Sequence, residues 1–134
     1  MTLKITISAL SLIVLSAFRS SAPVDIRIQT PVEKAVYKAL DTIWIKALVS
    51  APEALHNVNL KVVTADNGEV IYSKNIHTHG NSARVNEYFI NPLTEKKELR
   101  LSIQTTGHDG GETGNQWINF STAAAGKSKS AKKP

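Results

Sequence analysis

The chain has no cysteine among its 134 residues. No disulfide can brace it, no thiolate can ligate a metal, and no cysteine nucleophile is available, so thiol chemistry and cysteine-based zinc folds are excluded. Aromatic residues are scarce, at 6%, and a core must be built mainly from aliphatic side chains. Helix is missing as well: after residue 22 the sequence predicts no helix longer than a turn. The longest apolar or small run, "ITISALSLIVLSAF", covers 14 residues, which is short of the roughly 20 that a membrane-spanning helix needs. Acidic residues are absent from both ends, all 11 lying between Asp25 and Glu112.

That last absence explains the charge. The formal net charge of +5 comes from the two ends, because residues 23–126 carry ten basic groups against eleven acidic ones. A basic patch of the kind that binds nucleic acid is not expected on the folded part. The first 22 residues, with a basic start ("MTLK"), the apolar run and small residues at "RSSA", read as a signal peptide cleaved after Ala22. "LSAF" resembles a bacterial lipobox in which Phe18 occupies the place of the lipid-bearing cysteine. Without that thiol no lipid anchor forms, and the expected product is a periplasmic or secreted protein with no transmembrane segment in its mature form. Residues 122–134 contain no bulky apolar side chain and finish on "GKSKSAKKP". They read as a disordered basic tail able to contact an anionic envelope surface.

Between these ends, residues 23–121 alternate with the period of a β-strand. In "VDIRIQT", Val24, Ile26 and Ile28 share a face; in "TIWIKALV", Ile43, Ile45, Ala47 and Val49 do. "NVNLKVVTA" turns Val58, Leu60 and Val62 inward, and "ELRLSIQTT" does the same with Leu99, Leu101 and Ile103. "DNG" at Asp66 to Gly68 joins two alternating runs and predicts a β-hairpin. "EVIYSKNIHTH", "RVNEYFIN" and "QWINFS" complete a set of seven strands, with "PVEKAVYKALD" read as a turn with a short extended piece and "GHDGGETGN" as a glycine-rich loop. The expected fold is all-β, a seven-stranded antiparallel sandwich of immunoglobulin-like or fibronectin-III-like type.

"TPVEKAVYKALDTIWIKALVSAPEALHNVNLKVV", residues 30–63, resembles the opening of bacterial immunoglobulin-like domains on exported and lipoprotein-type envelope proteins. Leu40 stands where those domains usually have glycine before "DT". Residues 64–121 follow the pattern by strand count alone. The resemblance implies a fold and carries over no functional residue.

On such a sandwich the connections after the second, fourth and sixth strands share one pole. His56 opens the third strand, His77 and His79 close the fourth, and His108 follows the sixth, so all four histidines of the chain are assigned to that pole. Residues two apart on a strand face the same side, which sets His77 and His79 next to each other. Imidazole suits copper and zinc, and Asp109 or Glu112 could add a carboxylate. The sequence therefore predicts a non-enzymatic exported module, with His56, His77, His79 and His108 as candidate ligands of Cu or Zn. The alternative is a structural or adhesive module that binds an envelope protein or glycan. Catalytic constellations are poorer. Ser73, His77 and Asp66 form no nucleophile elbow, and the glycines of "HDGGETGN" precede a strand, so no helix N-terminus is offered to a phosphate. Trp44, Tyr72, Tyr88 and Trp117 could form a sugar-binding platform, or serve as core and sheet edge.

Overall fold

A computed structural model describes residues 23–126. The signal-peptide reading of residues 1–22 and the last eight residues of the basic tail lie outside the described residues. The described chain is all strand and turn: β1 (Asp25–Thr30), β2 (Val36–Tyr37), β3 (Thr42–Ser50), β4 (Leu55–Thr64), β5 (Val70–His77), β6 (Ser82–Ile90), β7 (Lys97–Gly107) and β8 (Glu112–Thr122). Two sheets form, one ordered β1-β3-β6 and the other β2-β8-β7-β4-β5. The chain is thus an all-β sandwich of the expected immunoglobulin-like or fibronectin-III-like kind.

The core comes from one face of each sheet. Ile43, Ile45, Ala47 and Val49 of β3 are buried with Ile26, Val85 and Phe89, and they meet Val58, Leu60, Val62, Leu99, Leu101, Ile103 and Phe120 of the other sheet. All but Val85, Phe89 and Phe120 are positions that the period-two pattern set on one face of their strands. β-branched and leucine side chains dominate, as suits a pleated surface buried on one side.

The expected count of seven antiparallel strands needs correcting. The short extended piece of "PVEKAVYKALD" is itself a strand, β2, whose two residues pair in parallel with β8, Val36 with Ser121 and Tyr37 with Thr122. Two residues are too few for alternation to show in the sequence. The chain leaves the three-stranded sheet after β1 and joins the edge of the five-stranded one, where the Ser121 N–H donates to the Ala35 carbonyl (2.9 Å) and the Ala123 N–H to that of Tyr37 (2.9 Å). The turn into β3 is tight. Leu40, at the position where the resembled domains have glycine, has φ +64°, a left-handed conformation that favours glycine.

The last strand also differs from its expected extent. Only residues 108–111 form the loop before it, and "ETGN" is paired as the start of β8. Gly114 is a sheet glycine: a Cβ there would lie 2.8 Å from the Val24 side chain and 3.0 Å from the Thr105 hydroxyl. At the other end the packed chain runs past residue 121. Thr122 is buried, its hydroxyl donates to the Glu95 carbonyl (2.7 Å), and the Ala125 N–H donates to that of Thr94 (2.7 Å).

The β4–β5 hairpin stands at the pole opposite the histidines. Gly68 has φ +71°, and the Thr64 and Asn67 side chains bond each other across the turn. Lys97 Nζ lies 2.9 Å from Asp66 Oδ2. That bond, followed by those from the Thr64 hydroxyl and the Asn67 N–H, holds the Asp66 carboxyl below its ordinary range. A carboxyl depressed in the folded state stabilises the fold above the unfolded value, near pH 4, and that contribution is lost as pH falls through the folded value. Asp66→Asn is therefore expected to lower the melting temperature modestly at pH 7, and the gap from the parent chain should close below about pH 4. Thermal melts of both proteins across this range check it.

Candidate functional site

The histidine pole is built by three connections, two of them tied to each other and the third closed on itself. The β3–β4 loop meets the β5–β6 loop through the Ala51 N–H donating to the Asn81 carbonyl (2.7 Å) and the Leu55 N–H to that of Gly80 (2.8 Å). The Asn81 amide also donates to the Pro52 carbonyl (3.0 Å). The β7–β8 loop is a closed turn, with the Gly107 N–H on the Gly111 carbonyl (3.1 Å) and the Gly111 N–H on Asp109 Oδ1 (3.0 Å). Gly110 has φ +79° there.

Strand order then decides which rings meet. β4 lies between β5 and β7, so His56 sits between the histidines of β5 and of the β7–β8 loop. Its direction is set by a β-bulge. Leu55 pairs with Gly107 and Asn57 with Thr106, which leaves His56 as the extra residue. Simple alternation would place His56 in phase with Val58 and Leu60, against the core. The bulge resets the phase: Leu55 takes the buried place, and His56 joins Asn57 on the outer face. Asn57 is the ladder partner of His77, and His77 Nδ1 lies 3.4 Å from Asn57 Oδ1.

The four imidazoles form a closed circuit. Ring centroids are 4.6 Å apart for His56 and His77, 4.6 Å for His77 and His79, 6.2 Å for His79 and His108, and 5.0 Å for His108 and His56. Nε2 of His77 is 3.1 Å from Nε2 of His79, so one of these rings donates its N–H to the other. His56 Nδ1 is buried and has no hydrogen-bond partner. The His56 pKa is held below the ordinary imidazole range, first by desolvation and then by His77, His108 and His79. At neutral pH this ring is uncharged and keeps a lone pair free. Among the described residues no group of three or more histidine or carboxylate side chains is arranged, as it stands, to hold a metal ion.

The two carboxylates proposed alongside the histidines are engaged elsewhere. Asp109 accepts the N–H of Gly111 within its own turn, and Glu112 accepts the side-chain amide of Gln104. Both line an open cleft of about 590 Å³ beside the cluster, together with Val24, Pro52, Glu53 and His108. The four aromatic candidates are divided between sites. Trp44 and Tyr88 pair on the outer face of the three-stranded sheet with centroids 5.0 Å apart. Trp117 lies on the other sheet beneath the Arg100 guanidinium, at 4.2 Å, and Tyr72 stacks on Phe89 at 4.9 Å.

No protein-family model matches the chain. No curated protein matches it either. Among solved structures it is similar to one described as fibronectin(III)-like modules of Clostridium thermocellum CbhA, at 16% identity over 76% of this chain and 100% of that one, with a TM-score of 0.48.

Proposed function

We propose that the protein is a non-enzymatic binding module, structural or adhesive in kind, that engages a protein or glycan of the cell envelope through the histidine pole. One observation carries this reading. Two loops from separate strand connections are cross-tied at that pole, and a third is closed on itself, beside an open cleft whose lining mixes Glu53, His108, Asp109 and Glu112 with Val24 and Pro52. Loops fixed by a rigid sandwich and carrying polar groups around a cleft are how such scaffolds present a recognition surface. The ties restrict the loops before any partner arrives, so little ordering cost is left for binding. The signal-peptide and basic-tail readings agree with an envelope setting.

The test is retention of the full chain on envelope fractions. Glu53 lines the cleft and is exposed, whereas Lys96 is exposed just before β7, at the far pole. Glu53→Arg should weaken saturable retention at least tenfold, and Lys96→Glu should leave it unchanged. Equal effects of the two substitutions, or retention that does not saturate, would refute the assignment of the pole. Pretreating the fractions with protease or with periodate separates a protein partner from a glycan.

A further inference from the structure

We propose that His56, His77, His79 and His108 close around one transition-metal ion, zinc(II) or copper(II). The inference stands apart from the partner reading, because a metal titration needs no envelope partner. It begins from ring spacing. With metal–nitrogen bonds of about 2.0–2.1 Å in a tetrahedral site, neighbouring ligand nitrogens lie roughly 3.3 Å apart and their ring centres about 5 Å apart. The Nε2 atoms of His77 and His79 are already 3.1 Å apart, and the four centroid distances run from 4.6 to 6.2 Å around the circuit. Two ring nitrogens are therefore at ligand spacing, and the other two rings stand at ring distance from them.

What separates this arrangement from a loaded site is rotation of side chains. For His56 that rotation breaks no hydrogen bond, since its buried Nδ1 has none. An unpartnered buried nitrogen carries a desolvation cost, and a metal bond would satisfy one ring nitrogen while a turn of the ring exposes the other. His79 and His108 are exposed on the loops. The neighbouring Gly80 at φ +89° and the nearby Gly110 at φ +79° have open space at the Cβ position, so neither glycine crowds the loops on which these rings turn. Nδ1 of His77 faces the Asn57 carbonyl oxygen. A proton on Nδ1 would leave Nε2 as the lone-pair atom, an arrangement typical of a ligating histidine with an oxygen partner behind it.

The ligand set also indicates which ions fit. Four neutral imidazoles suit Zn(II) and Cu(II), whereas Ca(II) and Mg(II) take oxygen donors. Asp109 and Glu112 are committed to Gly111 and Gln104, so the site needs no carboxylate.

The experiment is calorimetric titration of the full chain at neutral pH with Zn(II) and with Cu(II), in a buffer free of chelators. One-to-one binding in the micromolar range or tighter is expected for at least one of them. His77→Ala/His79→Ala should weaken it at least a hundredfold, His56→Ala and His108→Ala should each weaken it about tenfold or more, and Asp109→Asn should change it less than twofold. Circular dichroism without metal shows whether each variant is folded. Absence of heat for both metals would overturn the proposal. So would affinity that survives the double substitution, or that survives both His56→Ala and His108→Ala.

Discussion

Phe120→Ala should cost about 3–5 kcal/mol of stability, the range for truncating a fully buried aromatic ring. Phe120 is 1% exposed and stands opposite Leu99 across the β7–β8 ladder. It meets Tyr37 edge-on, with ring centroids 5.8 Å apart. The ring thus holds the two-residue β2 against the five-stranded sheet, and its removal opens a cavity while loosening the segment that connects the sheets. With no cysteine in the chain, no disulfide limits the loss, and domains of this size have only about 5–15 kcal/mol to lose. Urea denaturation of both proteins should show a much lower midpoint with little change in slope. A loss below about 1 kcal/mol would mean that this ring is not where the packing describes it.

Asn91→Ala should cost about 2–3 kcal/mol, for a reason that has little to do with volume. Asn91 is fully buried. Its Nδ2 donates to the Lys38 carbonyl at 2.8 Å, and its Oδ1 accepts the Leu93 N–H at 3.0 Å. Its backbone closes the same turn, accepting from the Leu40 N–H (3.0 Å) and donating to the Asp41 carbonyl (2.9 Å). Alanine leaves the Leu93 N–H without its acceptor and the Lys38 carbonyl with the Asp41 N–H as its remaining donor, beside the left-handed Leu40. Exposed Asn86, on the strand that Asn91 directly follows, makes the control, and Asn86→Ala should stay within about 0.5 kcal/mol. Denaturation of the two variants side by side separates a buried hydrogen-bond clamp from a general intolerance of β6.

Asn91 also marks where reading the sequence stops. In "RVNEYFIN" it is the polar residue that ends a strand, and nothing local distinguishes it from Asn86. Its burial follows from the turn folded over it by residues 38–41, which only tertiary structure supplies. The inward faces of β3, β4 and β7 were legible because period-two alternation is a local property that burial on one side enforces. Leu99, Leu101 and Ile103 could be named inward from nine letters. β2 was legible only as a short extended piece, and its parallel pairing with β8 was not, since two residues carry no period. Gly114 looked like one more loop glycine in "GHDGGETGN", and the close approach of Val24 that requires it is a long-range contact.

The pole of the four histidines followed from topology, because strand count and order decide which loops are neighbours. The direction of His56 did not. Alternation ran it inward with Val58, and a bulge in the pairing with β7 reversed it. A bulge is a property of two strands in register, so one strand's letters cannot reveal it. The reversal matters, for a His56 facing the core would leave His108 without a neighbour on β4. The carboxylates were a plausible addition on composition alone, and each is used where it stands to hold a turn or a cross-strand amide.

The account rests most directly on the four rings touching one another in the metal-free protein. Nuclear Overhauser contacts among the imidazole protons of the full chain measure this without any added ion. Cross-peaks from the His56 ring to both His77 and His108, and between His77 and His79, are the predicted result. A His56 ring with contacts only to core side chains such as Val58, and none to another histidine, would contradict it.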